Sequence, residues 1–148
     1  MVELAMVLIL LVMLLVGIVS AAVAYGRGNS IQNAAREASR YAATLPDVES
    51  NLSEVILVAQ AAASGDLDST VPGFFACVVY VDGKGAFHRH IEGDASAITE
   101  AAECYDDQRA TDEKRIQVVA GRTSEMSAVL FTFDINLRSE AAARYERG

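Results

Sequence analysis

Two histidines, His88 and His90, stand two residues apart in a stretch predicted as a strand, so both imidazoles project from one face in a geometry compatible with zinc. No third ligand of matching spacing accompanies them, and a pair of solvent-facing strand histidines is the expected reading. Asp106, Asp107, Asp112 and Glu113 gather carboxylates that suit calcium, but their spacing lacks the Asp-x-Asp-x-Asp-Gly order of an EF-hand, which favours a charged, solvated loop. Gly-x-Ser-x-Gly, His-Glu-x-x-His and Walker-type motifs do not occur, and Gly83-Lys84-Gly85 reads as a hairpin turn rather than a phosphate cradle. Neither catalytic residues, nor a metal, nor a cofactor is therefore expected.

Cys77 and Cys104 are the two cysteines, and neither belongs to a Cys-x-x-Cys. In a domain outside the membrane they are simplest as one disulfide, which closes a loop of 26 intervening residues and contributes about 3 kcal/mol through chain entropy. Two unpaired buried thiols are the alternative.

The elements that position these residues divide the chain in two. Residues 4–26, LAMVLILLVMLLVGIVSAAVAYG, carry no charged side chain, and as a helix they extend about 34 Å, enough to cross a hydrocarbon core of about 30 Å. A cleaved signal peptide would need a basic start and a shorter apolar run, whereas the one charge before this run is Glu3. Gly17, Ser20, Ala21 and Ala24 form a small-residue face on which another helix could pack closely. The net charge of −8 and the lack of a Lys/Arg cluster argue against a nucleic-acid partner, because phosphate binding needs clustered Lys and Arg. It suits an exposed, soluble domain.

Beyond Tyr25 the pattern becomes amphipathic. Ile31, Ala34, Ala35, Ala38, Tyr41 and Ala42 follow i, i+3, i+4, i+7 spacing, which predicts that the membrane helix continues into water, with a bend or brief melting at Gly26 and Gly28 and an end at Leu45-Pro46. Asn51 and Glu54 resemble a capping box, opening a second helix whose buried face is Leu52, Val55, Ile56, Ala59, Ala62 and Ala63 and which stops at Ser64-Gly65. A buried strand is expected at 74–81, turning at Asp82-Gly83 into a partner at 86–91. A third helix is expected at 95–105, a weakly alternating segment at 114–120, and a turn at 121–127. From Ala128 a period of two puts Phe131, Phe133, Ile135, Leu137, Ser139, Ala141, Ala143 and Tyr145 on one face, so a long strand is favoured over the helix that the Ala-rich SEAAARYE tail would suggest. The expected fold class is α+β: a transmembrane helix over 1–26, then a soluble domain over 27–148 that begins with the helix extension 27–45 and packs it on an antiparallel sheet of about four strands.

The segments VELAMVLILLVMLLVGIV (residues 2–19) and IQNAAREASRYAA (residues 31–43) resemble the TadE-like proteins of the wider type IV pilin group. The C-terminal INLRSEAAARYE is similar to the strand on which such proteins commonly end. The resemblance covers the first 45 residues well and the rest by layout. It implies a pilin-like fold, and that Glu3 inherits the retained glutamate that pairs with the amino group of a neighbouring subunit after a prepilin peptidase removes a short basic leader. In this sequence Glu3 stands third, where mature pilins carry this glutamate fifth, so the expected role depends on how the N-terminus is processed. Apart from pairing, a carboxylate in the headgroup region at a helix N-terminus is favoured by the helix dipole.

The expected function is a structural, pilin-like subunit of a pilus or its assembly machinery. Its expected partners are other pilin-like subunits, pilus assembly proteins and the membrane, in a homo- or hetero-oligomer. The alternative is a membrane-tethered extracytoplasmic binding module that does not polymerise. Arg27, Arg36 and Arg40 on the C-terminal side of the span would favour a cytoplasmic domain by the positive-inside rule. The resemblance and the expected disulfide favour the reverse: a single-pass protein of the cytoplasmic membrane with its domain extracytoplasmic.

Overall fold

The computed structural model describes residues 2–84, 86–94, 104, 113–128 and 131–145, without the side chains of Val2, Glu3 and Ala128. The architecture is α+β, with helices α1 (Val2–Thr44) and α2 (Leu52–Ala62) and strands β1 (Phe75–Asp82), β2 (Phe87–Gly93), β3 (Lys114–Ala128) and β4 (Phe131–Arg144). The strands form one antiparallel sheet in the order β2-β1-β3-β4. The expected helix at 95–105 lies outside the described residues except for Cys104, as does the acidic stretch before Glu113.

Helix α1 runs unbroken for 43 residues, about 65 Å at 1.5 Å per residue. Gly26 and Gly28 do not interrupt it, so the expected local melting is absent. The helix ends at Thr44, ahead of Pro46, whose missing N–H and steric demand on Leu45 stop further turns. Its C-terminal half buries Ile31, Ala34, Ala35, Ala38 and Ala42 completely. Small alanines let the helix backbone lie close to the sheet, where Val78, Ile116 and Val118 complete the core with Val55 and Ile56 of α2. Helix α1 covers β3 and β4 while α2 covers β1 and β2, so each half of one sheet face has its own lid.

Helix α2 matches the expected face, burying Leu52, Val55, Ile56 and Ala59. The capping box does not form. A 3-10 turn at Glu49–Asn51 precedes the helix, the Asn51 side-chain amide donates to the Asp47 carbonyl at 2.6 Å, and Glu54 accepts from the Tyr41 hydroxyl at 2.7 Å. That carboxylate raises the Tyr41 pKa above its ordinary value. Both residues of the motif thus serve the α1–α2 junction.

The expected turn at 121–127 is also corrected: β3 continues through it to Ala128. Gly and Ser in this segment suggest a turn in isolation, but the partner strand decides. Register pairs Arg122, Ser124 and Met126 with Leu137, Ile135 and Phe133, extending the two-residue period of β4 across the gap. The long C-terminal strand itself is as expected, and its Ala-rich end is held in the sheet by pairing from Val118↔Ala141 to Arg115↔Arg144.

Tyr145 locks this end of the domain. Buried against the core, its hydroxyl donates to the carbonyls of Leu45 at 2.8 Å and Pro46 at 3.0 Å, and its ring meets Tyr80 edge-on at 5.6 Å. The chain leaving α1 is thereby tied to the last strand. Tyr145→Phe is expected to lower stability by about 1–2 kcal/mol, the cost of leaving those acceptors short of a donor, read as a lower urea midpoint with an unchanged slope.

The second face of the sheet carries a smaller apolar cluster of Phe75, Cys77, Val79, Val81 and Val119, with Cys104 packed on it. Cys77 and Cys104 are joined by a disulfide, 27 positions apart in sequence. On the same face Gln117 is buried and its side-chain amide donates to Glu140.

Candidate assembly and membrane site

The site is built on α1, whose two halves have opposite surroundings. Its apolar N-terminal part has a mean hydropathy of 3.1 over an 18-residue window and none of that window is buried within the chain. Leu4, Leu8, Leu11, Leu15 and Ile18 are all more than half exposed. A helix that is apolar all round and uncovered by its own domain needs an apolar surrounding, because water would charge about 25 cal/mol for each Å² left wet. Length and composition suffice for it to cross a membrane. Glu3 opens this helix in its first turn, with its side chain outside the described atoms.

The small-residue face is divided by the chain's own sheet. Ala24 is buried, and the Ser20 hydroxyl donates to the Ser127 carbonyl at 2.7 Å, whereas Ala21 is exposed and Gly17 has nothing within 4 Å of where a Cβ would stand. Ser20 and Ala24 therefore seat β3 and β4, and Gly17 and Ala21 remain accessible. Nothing in the sequence spacing alone separates these two pairs.

What approaches Ser20 and Ala24 is a ribbon. Strand β1 ends its pairing with β3 at Phe75↔Gly121, yet β3 and β4 stay paired to Ala128↔Phe131. The overhang of residues 122–128 and 131–137 is more than about 20 Å long and lies along α1 toward its N-terminus. Polar contacts hold it there. Arg27 donates to the Ser124 hydroxyl at 2.9 Å, and Arg122 reaches Asp66 at 3.3 Å. Burial, and next the repulsion of Arg27, lower the Arg122 pKa from its ordinary value, while Asp66 opposes both. The loop before β1 adds a backbone bond from Thr123 N–H to the Pro72 carbonyl at 3.1 Å. Gly73 (φ +63°) is needed at that approach, since a Cβ there would overlap the Thr123 hydroxyl. The expected turn at 121–127 hides these contacts in the sequence, because residues 122–127 (RTSEMS) carry no period-two hydropathy to mark a strand.

The histidines are structural neighbours rather than a joint site. His88 Nδ1 lies 3.1 Å from Glu49 and its ring stacks on Tyr80, while His90 Nε2 lies 3.6 Å from Glu92. Among the described residues no group of three or more His, Cys, Asp or Glu side chains is placed to hold a metal ion.

A long helix, bare and apolar at its start and packed on a four-stranded antiparallel sheet beyond it, makes an α+β architecture whose N-terminal segment fits a membrane anchor. The family model described as TadE-like protein matches residues 1–40, the bare half of α1 and most of the packed half, in agreement with the resemblance carried by residues 2–19 and 31–43. No curated protein and no solved structure matches the chain.

Proposed function

We propose that this protein is a structural, pilin-like subunit of a pilus or of its assembly machinery, held in the cytoplasmic membrane by residues 1–26 and packing with other subunits and assembly proteins through that same helix. The observation that carries the reading is the continuity of α1: one rigid helix joins an all-round apolar surface to a domain core, and the TadE-like match falls on that helix. In lipid the bare half is solvated by acyl chains; against like helices it exchanges lipid for protein at little cost, with Gly17 and Ala21 allowing close approach. Residues 27–148 form the displayed domain. The Cys77–Cys104 bond suits an oxidising, extracytoplasmic location.

Glu3 is the residue we assign to subunit pairing. A carboxylate carried into an apolar bundle is costly unless it is neutralised, and the amino terminus of a neighbouring subunit supplies the opposite charge. Glu3→Ala is expected to leave the protein folded and in the membrane while cutting its incorporation into surface filaments at least about tenfold, the loss corresponding to 1.4 kcal/mol or more. Quantitative blotting of sheared filaments reads it. Incorporation at the parental level would remove the pairing role.

A further inference from the structure

We propose that the tip of the β3–β4 ribbon is a second membrane-contacting element, which seats Phe131 and Phe133 in the boundary between lipid headgroups and acyl chains beside the protein's own anchor. This rests on the reading of residues 4–26 as a membrane span.

The ribbon's helix-side face ends in Met126, Phe133 and Phe131, and the two phenylalanines are 50% and 72% exposed. Both large aromatic side chains stand on a ribbon that projects beyond the rest of the sheet, whose β1–β3 pairing ends at Gly121. Their level along α1 is fixed by two hydrogen bonds: Ser124 lies beside Arg27 and Ser127 beside Ser20. Seven helix positions separate Arg27 from Ser20, about 10 Å of rise, so the tip stands alongside residues of the uncharged span.

Charge marks the same boundary on both elements. On α1 the first charged side chain after the span is Arg27. On the ribbon Glu125 pairs directly across from Asp134, and between them the sequence MSAVLFTF has no charge. Two carboxylates opposite one another repel and need water or headgroups around them. Arg27, Glu125 and Asp134 border one cleft with Arg122, so the charged groups share a level and the apolar tip lies on the far side of it. The ribbon's outer strand edges limit how far it can go. Strand β3 pairs with β1 no further than Gly121, and any strand-edge N–H or C=O left without a partner is not tolerated in hydrocarbon. The tip therefore sits about 5–10 Å deep, as interfacial elements do.

Lipid is the occupant because the patch is continuous with α1 residues that lipid already surrounds: Val19 and Val23 are about half exposed at the same level. Two attachments also fix the domain against the membrane plane, where one helix alone would leave it free to tilt.

The chain has no tryptophan, so single substitutions report without background. The full-length variants Phe131→Trp, Leu11→Trp and Phe87→Trp are reconstituted in phosphatidylcholine vesicles containing lipids brominated at shallow or deep acyl positions, with iodide as the aqueous quencher. Phe87 is exposed and pairs with Val81 at the opposite end of the sheet. The expected result is deep-bromine quenching of Leu11→Trp, shallow-bromine quenching of Phe131→Trp, and several-fold weaker iodide quenching of Phe131→Trp than of Phe87→Trp. Iodide access at Phe131→Trp equal to that at Phe87→Trp, with Leu11→Trp still lipid-quenched, would overturn the inference and leave the anchor standing. Loss of lipid quenching at Leu11→Trp would overturn both. Shielding of Phe131→Trp that arises only as protein is raised relative to lipid would assign the tip to a second copy of the chain, against the proposal.

Discussion

Deletion of residues 1–19 is expected to move the protein from the carbonate-resistant membrane pellet to the soluble fraction while leaving the domain folded. Residues 4–19 include twelve Leu, Ile and Val side chains, each worth roughly 0.3–0.6 kcal/mol on insertion at a helix centre. Their sum, about 5 kcal/mol, corresponds to a shift of more than about a thousandfold in partition. None of the large residues in this stretch belongs to the core of the domain, whose buried part of α1 runs from Ile31 to Ala42. Ser20 and Ala24, which seat the ribbon, are retained in this truncation. Circular dichroism and a thermal melt of the released domain check folding, and fractionation checks location. A truncated protein that stays in the pellet after carbonate would mean that something other than α1 holds it there.

The second large effect is expected from the disulfide. Its 27-position separation gives about 3–4 kcal/mol of loop entropy in the unfolded chain, a large share of what a domain of this size has in total. The bond also fixes Cys104 on the outer sheet cluster, where Cys77, Val79 and Val119 are fully buried. The double variant Cys77→Ala/Cys104→Ala should melt at least about 12 °C lower, taking 4 °C or more per kcal/mol for a small domain. Reductant should bring the parent to the same value and leave the variant unmoved. An unchanged melting temperature in the variant would show that folding does not use the bond.

Periodicity made most of the architecture legible. The uncharged run of residues 4–26, the alanine stripe from Ala34 to Ala42 and the alternation from Phe131 to Tyr145 each express one interaction repeated along an element, and each takes the helix or strand expected of it. Failures came where a partner outside the segment's own pattern decided the outcome. The turn expected at 121–127 is strand because Phe133, Ile135 and Leu137 of β4 continue the ladder beside it. Asn51 and Glu54 carry the spacing of a capping box, yet Asp47 and Tyr41 take their side chains first. The small-residue face shows the same lesson at the site: Ser20 and Ala24 meet a ribbon more than a hundred residues later in the chain, and local spacing does not distinguish them from Gly17 and Ala21.

The division within that face sharpens the test of the central claim, that α1 is an assembly surface and not merely a tether. Replacing residues 4–19 by a leucine segment of equal length and Ala21 by Leu keeps the span apolar and keeps Ser20 and Ala24 on their sheet contacts, but erases Gly17, Ala21 and the other side chains that neighbouring helices would meet. Quantifying this variant in membranes and in sheared surface filaments is the direct measurement. The account predicts parental amounts in the membrane and loss from filaments; filament incorporation equal to the parent would contradict it and leave α1 as a simple anchor.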